Sequence, residues 1–311
     1  MSGREISDTE VTGYLHPDYA ASLAEFGVPF ELPQSRGWIL RRKIPNYTEH
    51  DAIGCYPLFT CQDWSQLHSD LDNLSEEFVS LALVASPFGN YEPAYLKNCF
   101  PDVFFPFKEH FVVDLSLPRE TSIHPHHRRN ARRAHHEFHV ETCIDPADFL
   151  NDWMLLYGTL VRRHMITGIA AFSENSFRKQ LRVPGIKAFR AVRDGVTDGM
   201  LLWFVQENVA YYHLGAYSER GYELGASFAL FDFAIEFFAD RELEWLSLGG
   251  GAGIQSQEPG LDRFKQGWST GTRTAYFCGR VLDPAKYQEV VKTLKAPATK
   301  YFPAYRAGEF G

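Results

Sequence analysis

The sequence predicts an α+β protein in which mixed, mostly antiparallel sheets are flanked by helices. "KAFRAVR", "MLLWFVQ" and "VAYYHLGAY" are three β-rich runs parted by the turn signals "DGVTDG" and "EN", the pattern of an antiparallel meander. The helical run "GASFALFDFAIEFFAD" then precedes the strand "LEWLSLGG", and a helix of that length allows the strand to lie parallel to the last meander strand. Strands and a helix also alternate in the first half of the chain.

In chain order, residues 1–35 read as irregular apart from a short helix expected over Tyr19–Phe26. "WILRRKIP" and "AIGCYPLF" read as strands interrupted by prolines. "DWSQLHSDLDNLSEEF" predicts an amphipathic helix with Asp63 as N-cap and Trp64, Leu67, Leu71 and Leu74 on its apolar stripe. "VSLALVA" predicts a buried strand, and "HFVVDLS" another that ends near Ser116, with a domain junction at Leu115–Pro118. Residues 119–139 are helix-compatible. "DPADFLNDWMLLYGTLVRRHM" places a proline in its first turn and keeps Phe149, Trp153, Leu156 and Leu160 on one stripe. "SENSFRKQL" reads as a short capped helix. In the helix after the meander the polar Asp232, Glu236 and Asp240 fall four apart, so most of its surface is expected to be buried.

A chain of 311 residues is long for one core and comfortable for two domains. Apolar residues at 45% and charged residues at 23% are those of a soluble globular protein. The net charge of −8 argues against a broadly basic nucleic-acid-binding face, so an anion site should be local. No secretory leader is visible at "MSGREISDTEV", and Glu223, Asp232 and Glu236 interrupt the longest apolar run, so no membrane span is expected. Five cysteines with no CxxC pair are consistent with a reduced, cytoplasmic protein.

One block departs from the acidic average. "HPHHRRNARRAHHEFH", His124–His139, holds six histidines and four arginines. On a helix Arg128 and Arg132 share a face, as do Arg129 and Arg133. Such a helix is either a solvated surface element or a grip for anions. The histidine spacing lacks the ligand pattern of a structural or catalytic zinc site, and no metal is expected; the imidazoles would instead make the block more cationic in mild acid.

The junction "HLGAYSERGYELGASFAL" is strand, loop, helix. Glycine at a helix entrance lets an anion approach unpaired backbone N–H groups, so the segment is open to two readings, an ordinary helix start or a phosphate site. Together with "DLS…RRNARRA", "LSLGG" and "LDRFKQGW" in this order, it resembles the GNAT superfamily and, within it, the FemAB-like acyltransferases. The resemblance covers residues 112–280 well and the first 110 only in position. It implies two GNAT-like domains in tandem, a degenerate one over 1–115 and one over 116–311 that carries the donor site. GNAT proteins read Arg/Gln-x-x-Gly-x-Gly/Ala at this loop; here Arg220 and Gly225 match and Glu223 stands where the first glycine belongs. The resemblance implies that Arg220, Gly221, Gly225, Ala226 and Ser227 hold the phosphates of an acyl-CoA co-substrate, with no permanently bound cofactor. It makes Arg128, Arg129 and Arg132 candidates for a phosphorylated substrate. It also places Lys265 at the acyl-transfer centre, with Phe264 packing beside it.

The chemistry needs a cation or N–H donor for the tetrahedral oxyanion and a route for the amine proton. Lys265 is the candidate for the first. On the last meander strand Tyr212 and His213 point to opposite faces and are candidates for the second, with packing as the alternative for His213. No nucleophile motif is present, so direct attack on the donor is expected. The expected activity is N-acyl transfer, from acyl-CoA, to an amine of a sugar, an amino acid or a cell-envelope precursor. An aminoacyl-tRNA-dependent transferase and a non-catalytic binding protein on the same framework are the alternatives.

Overall fold

The computed structural model describes residues 10–251, 259–294 and 299–309. Among these, eleven strands form one sheet: β1 Val28–Glu31, β2 Trp38–Lys43, β3 His50–Gly54, β4 Ser80–Ala85, β5 Val103–Asp114, β6 His139–Thr142, β7 Ile186–Arg193, β8 Val196–Gln206, β9 Val209–Tyr217, β10 Trp245–Gly249 and β11 Gly271–Val281. The helices are α1 Pro17–Ser22, α2 Leu67–Asp72, α3 Pro93–Cys99, α4 Arg119–Ser122, α5 Pro125–Glu137, α6 Leu150–His164, α7 Glu174–Gln180, α8 Glu219–Leu224, α9 Ala226–Ala239, α10 Pro259–Trp268 and α11 Pro284–Thr293.

The strand order is β1-β2-β3-β4-β11-β5-β10-β9-β8-β7-β6. Only β3–β4 and β9–β10 are parallel pairs; the rest are antiparallel. The α+β class with a mostly antiparallel mixed sheet is the expected one, as are the β7–β8–β9 meander and the parallel β10. The two expected halves do not form separate sheets. β11, late in the chain, inserts between β4 and β5, and β5 pairs with β10, so strands from both sides of residue 115 alternate in a continuous sheet.

Three large apolar clusters hold the layers. Tyr19, Trp153, Tyr157 and Phe177 cover one face of the meander from α1, α6 and α7. Trp203, Phe231, Phe238 and Trp268 fill the other, beneath α5, α9 and α10. Leu67, Leu71, Leu96 and Leu83 pack α2 and α3 on the N-terminal strands.

Local signals explain most boundaries. Asp63 accepts the Ser65 N–H as an N-cap, and Ser173 caps α7 through Ser176 N–H. The helix expected after Asp63 is shorter than its apolar pattern. It ends at Asp72, while the buried Asp70 carboxylate accepts the backbone N–H groups of Gln34 and Ser35. The expected loop before Gly225 is also different: Ser218 caps a helical turn, α8, and Gly225, at φ +73°, breaks it from α9.

Candidate functional site

β9 and β10 run together only as far as the Tyr211–Ser247 pair, whereas β9 continues to Tyr217. Beyond that pair the sheet parts. At this position β9 is also bulged: Leu202 and Trp203 of β8 face Leu214 and Tyr212, leaving His213 as the extra residue. As strand alternation implies, Tyr212 faces the α9 side, against Trp203 and Phe231, and His213 the opposite side, among Tyr14, Tyr19 and Phe172.

Lys265 enters the parting from α10. It is 5% exposed, its Nζ donates to the Gly250 carbonyl at 2.6 Å, and it lies 5.8 Å from the Tyr212 ring centroid. Gly249 has φ +75°, and a Cβ there would stand 3.4 Å from the Lys265 ammonium, so the glycine supplies both the turn and the clearance. Two residues of β5, which sequence reasoning did not single out, complete the surroundings. Lys108 Nζ donates to the Gly251 carbonyl at 3.0 Å, and His110 is 8% exposed. Burial, and then the Lys108 charge, hold the Lys265 pKa down at about 8, against which Asp262 acts. Burial lowers that of Lys108 as well. Burial, with Lys265 and Lys108 close by, puts His110 at about 3, so it is neutral. Two desolvated ammonium groups beside a neutral imidazole make a region suited to developing negative charge. The i, i+2 spacing of Lys108 and His110 on a strand is the one sequence signal that marks them.

Of the residues expected to act together, Lys265 and Tyr212 meet. Burial raises the Tyr212 phenol, which therefore keeps its proton. His213 is apart from them: its Nδ1 accepts from the Tyr14 hydroxyl at 3.1 Å, its Nε2 donates to Gln180 Oε1 at 3.0 Å, and burial takes its pKa to about 3. It is a packed core histidine on the far face. Phe264 does pack beside Lys265, in an aromatic cluster with Phe228, Phe231 and Trp268.

The expected phosphate loop divides into two parts. Arg220 is engaged within the protein: Nε and Nη2 reach the buried Asp198 carboxylate at 2.8 and 2.7 Å. A Cβ on Gly221 would lie 2.1 Å from the Asp198 carbonyl oxygen, so this glycine is what lets α8 approach β8. Both serve the α8–β8 join. Gly225, Ala226 and Ser227 form the start of α9, where no side chain caps the helix. Ala226 packs close to Gly199 on β8. Tyr217, beside Tyr222 of α8, lies five residues along β9 from Tyr212, roughly 15 Å of strand.

The basic block is α5. His127, Ala131 and Ala134 form its buried stripe against α9, and His127 Nε2 donates to the Phe264 carbonyl at 2.9 Å. His135 and Arg119 both bind Asp232 of α9. Arg128 is half-buried, Arg129, Arg132 and Arg133 are exposed, and none of the four has an ion-pair partner among the described residues. No group of metal-ligating side chains suited to an ion occurs among the described residues.

Residues 125–266 match the family model described as the acetyltransferase (GNAT) domain. Over 88% of its length the chain shares its fold with FemX, 93% of which is covered (13% identity, TM-score 0.64). It is also similar to the C-terminal domain of a protein named a lysylphosphatidylglycerol synthetase from Agrobacterium fabrum (15% identity, TM-score 0.62, 89% and 91% covered). A third similar structure is L-PGS from Bacillus licheniformis (16% identity, TM-score 0.53, 92% and 97% covered). No curated protein matches the sequence. Among the described residues, no helix is long and apolar enough to cross a membrane.

Proposed function

We propose that the protein transfers an acyl group from acyl-CoA to the amine of a sugar, an amino acid or a cell-envelope precursor. The observation that carries this reading is the buried Lys265 ammonium at the parting of β9 and β10, beside Tyr212. The uncapped start of α9 takes the donor's phosphates, and the donor arm runs along β9 toward Lys265. The acceptor amine, arriving neutral, attacks the thioester carbonyl. The C–N bond forms, the oxyanion develops against Lys265, and the C–S bond then breaks. The protonated Tyr212 phenol passes a proton to the leaving thiolate and regains one from solvent, which takes up the amine proton.

Direct attack is supported by the state of the thiols. All five cysteines are buried and free, and burial pushes Cys55 and Cys143 up to about 12. None is an activated nucleophile. Calorimetry with CoA and acetyl-CoA, followed by mass spectrometry of candidate amines, tests the proposal. Absence of heat with both, while aminoacyl-tRNA is consumed, would overturn the donor assignment.

The four α5 arginines favour a second reading, an aminoacyl-tRNA donor. Filter binding of tRNA should then weaken steeply with salt, by roughly 0.7–0.9 in log–log slope per phosphate contact, and R129Q and R132Q should each reduce the slope. No retention at low salt removes this reading.

A further inference from the structure

The acyl-transfer reading gives no role to Arg273. Arg273 of β11 lies on the sheet face opposite α9 and α10. Its guanidinium carbon lies 4.3 Å from the Phe88 ring centroid and 4.5 Å from that of Trp245, in the corner between two rings inclined at 52°. These rings pack on the core cluster that contains Tyr211 and Ala275. Contact with both ring faces restrains the guanidinium without using its N–H donors. Arg273 is half-buried, yet it has neither a hydrogen bond nor an ion pair to any described residue.

Its β-ladder partner is His110, which is 8% exposed and whose buried Nδ1 has no hydrogen-bond partner. Two residues before Arg273, and so on the same face, Gly271 is exposed, and a Cβ there would meet nothing within 4 Å. Side-chain space is therefore left open beside a fixed guanidinium and an unsatisfied buried imidazole. His110 in turn lies close enough to Lys265 and Lys108 for both charges to act on it.

We infer that Arg273, with His110, forms a subsite for an anionic group, carboxylate or phosphate, on the amine acceptor, which approaches the β9–β10 parting from the face opposite the donor. This rests on the acyl-transfer reading for the identity of the guest as acceptor. The chemistry is that of a planar fork meeting a planar or tetrahedral oxyanion. Arg273 is thus a specificity residue and takes no part in the bond changes.

The test uses the full chain, labelled with ¹⁵N-arginine and ¹⁵N-tryptophan. The Arg273 Nε–H signal is assigned with R273K and the Trp245 indole signal with W245F. Glycine and glucosamine 6-phosphate are titrated separately as carboxylate- and phosphate-bearing amines, with glucosamine as the control lacking an anion. The expected result is a saturable shift of both signals with at least one anionic amine and none with glucosamine. Which arm responds names the anion. R273Q should weaken that binding about 10- to 100-fold, as loss of a charge-assisted hydrogen bond implies. Its circular dichroism and its acetyl-CoA calorimetry should not change. R273K keeps the stem and charge but not the fork, and should fall between wild type and R273Q. Should R273Q fail to fold, R273K and the wild-type titrations still decide the matter. The inference is overturned if neither anionic amine shifts the Arg273 signal at millimolar concentration, if glucosamine shifts it equally, or if R273K binds as tightly as wild type. Shifts at Arg273 without acetyl-CoA heat would refute the donor assignment and leave the anion site standing; heat without shifts would do the reverse.

Discussion

Removing the Lys265 charge should abolish most turnover and, more tellingly, change its pH dependence. The ammonium lies at the parting of the sheet with a pKa of about 8, lowered by burial and by Lys108. At pH 7 roughly nine-tenths of it is protonated and at pH 9 about one-tenth, so kcat at saturating substrate should fall about tenfold per pH unit above 8. K265M removes a buried donor to the oxyanion and should lower kcat about 100- to 1000-fold with little change in donor KM. K265R retains a cation that does not titrate below pH ~12, so whatever activity it keeps should lack the alkaline limb. K108M removes the neighbouring charge and should move the limb to higher pH. Stopped-flow or coupled thiol-release assays between pH 6 and 10 measure all four proteins. The reasoning is refuted if K265M stays within a few-fold of wild type, or if the limb is the same in K265R as in wild type.

The remaining predictions concern the frame around the site. His110 and His213 drop from 6.5 to about 3 on folding, so between those values the unfolded chain binds more protons than the native one. Their contribution is intact above pH 6.5 and is lost as pH falls through the window; at pH 5 the two together should cost about 4 kcal/mol. Urea unfolding at pH 7 and pH 5 reads this directly, H213Q should about halve the pH effect, and flat stability would contradict the assigned burial. G221A drives a Cβ to 2.1 Å from the Asp198 carbonyl oxygen and should destabilise by about 3 kcal/mol in chemical denaturation. G225V places a β-branched residue at φ +73° and should raise donor KM sharply with a stability loss of only about 1–2 kcal/mol. An unchanged KM in a folded G225V would remove the start of α9 from the donor site.

Much of this protein was legible before any coordinates. The meander, α9, the parallel β10 and the caps at Asp63 and Ser173 follow from alternation, 3.6-residue periodicity and capping chemistry, all of which act between residues close in the chain. The pairing of Lys265 with Tyr212 follows once the fold is known. The rest was decided by contacts between distant segments. Whether Arg220 faces a ligand or a protein carboxylate depends on Asp198, 22 residues away on β8. Whether His213 is a base or a core residue depends on Tyr14, 199 residues away, and on Gln180, 33 residues away. β11 crossing back between β4 and β5 brings Arg273 beside His110 and merges the halves into one sheet. Periodicity reports which face of an element is apolar; it carries no information about which distant partner meets that face, and the charges at this site take their properties from those partners.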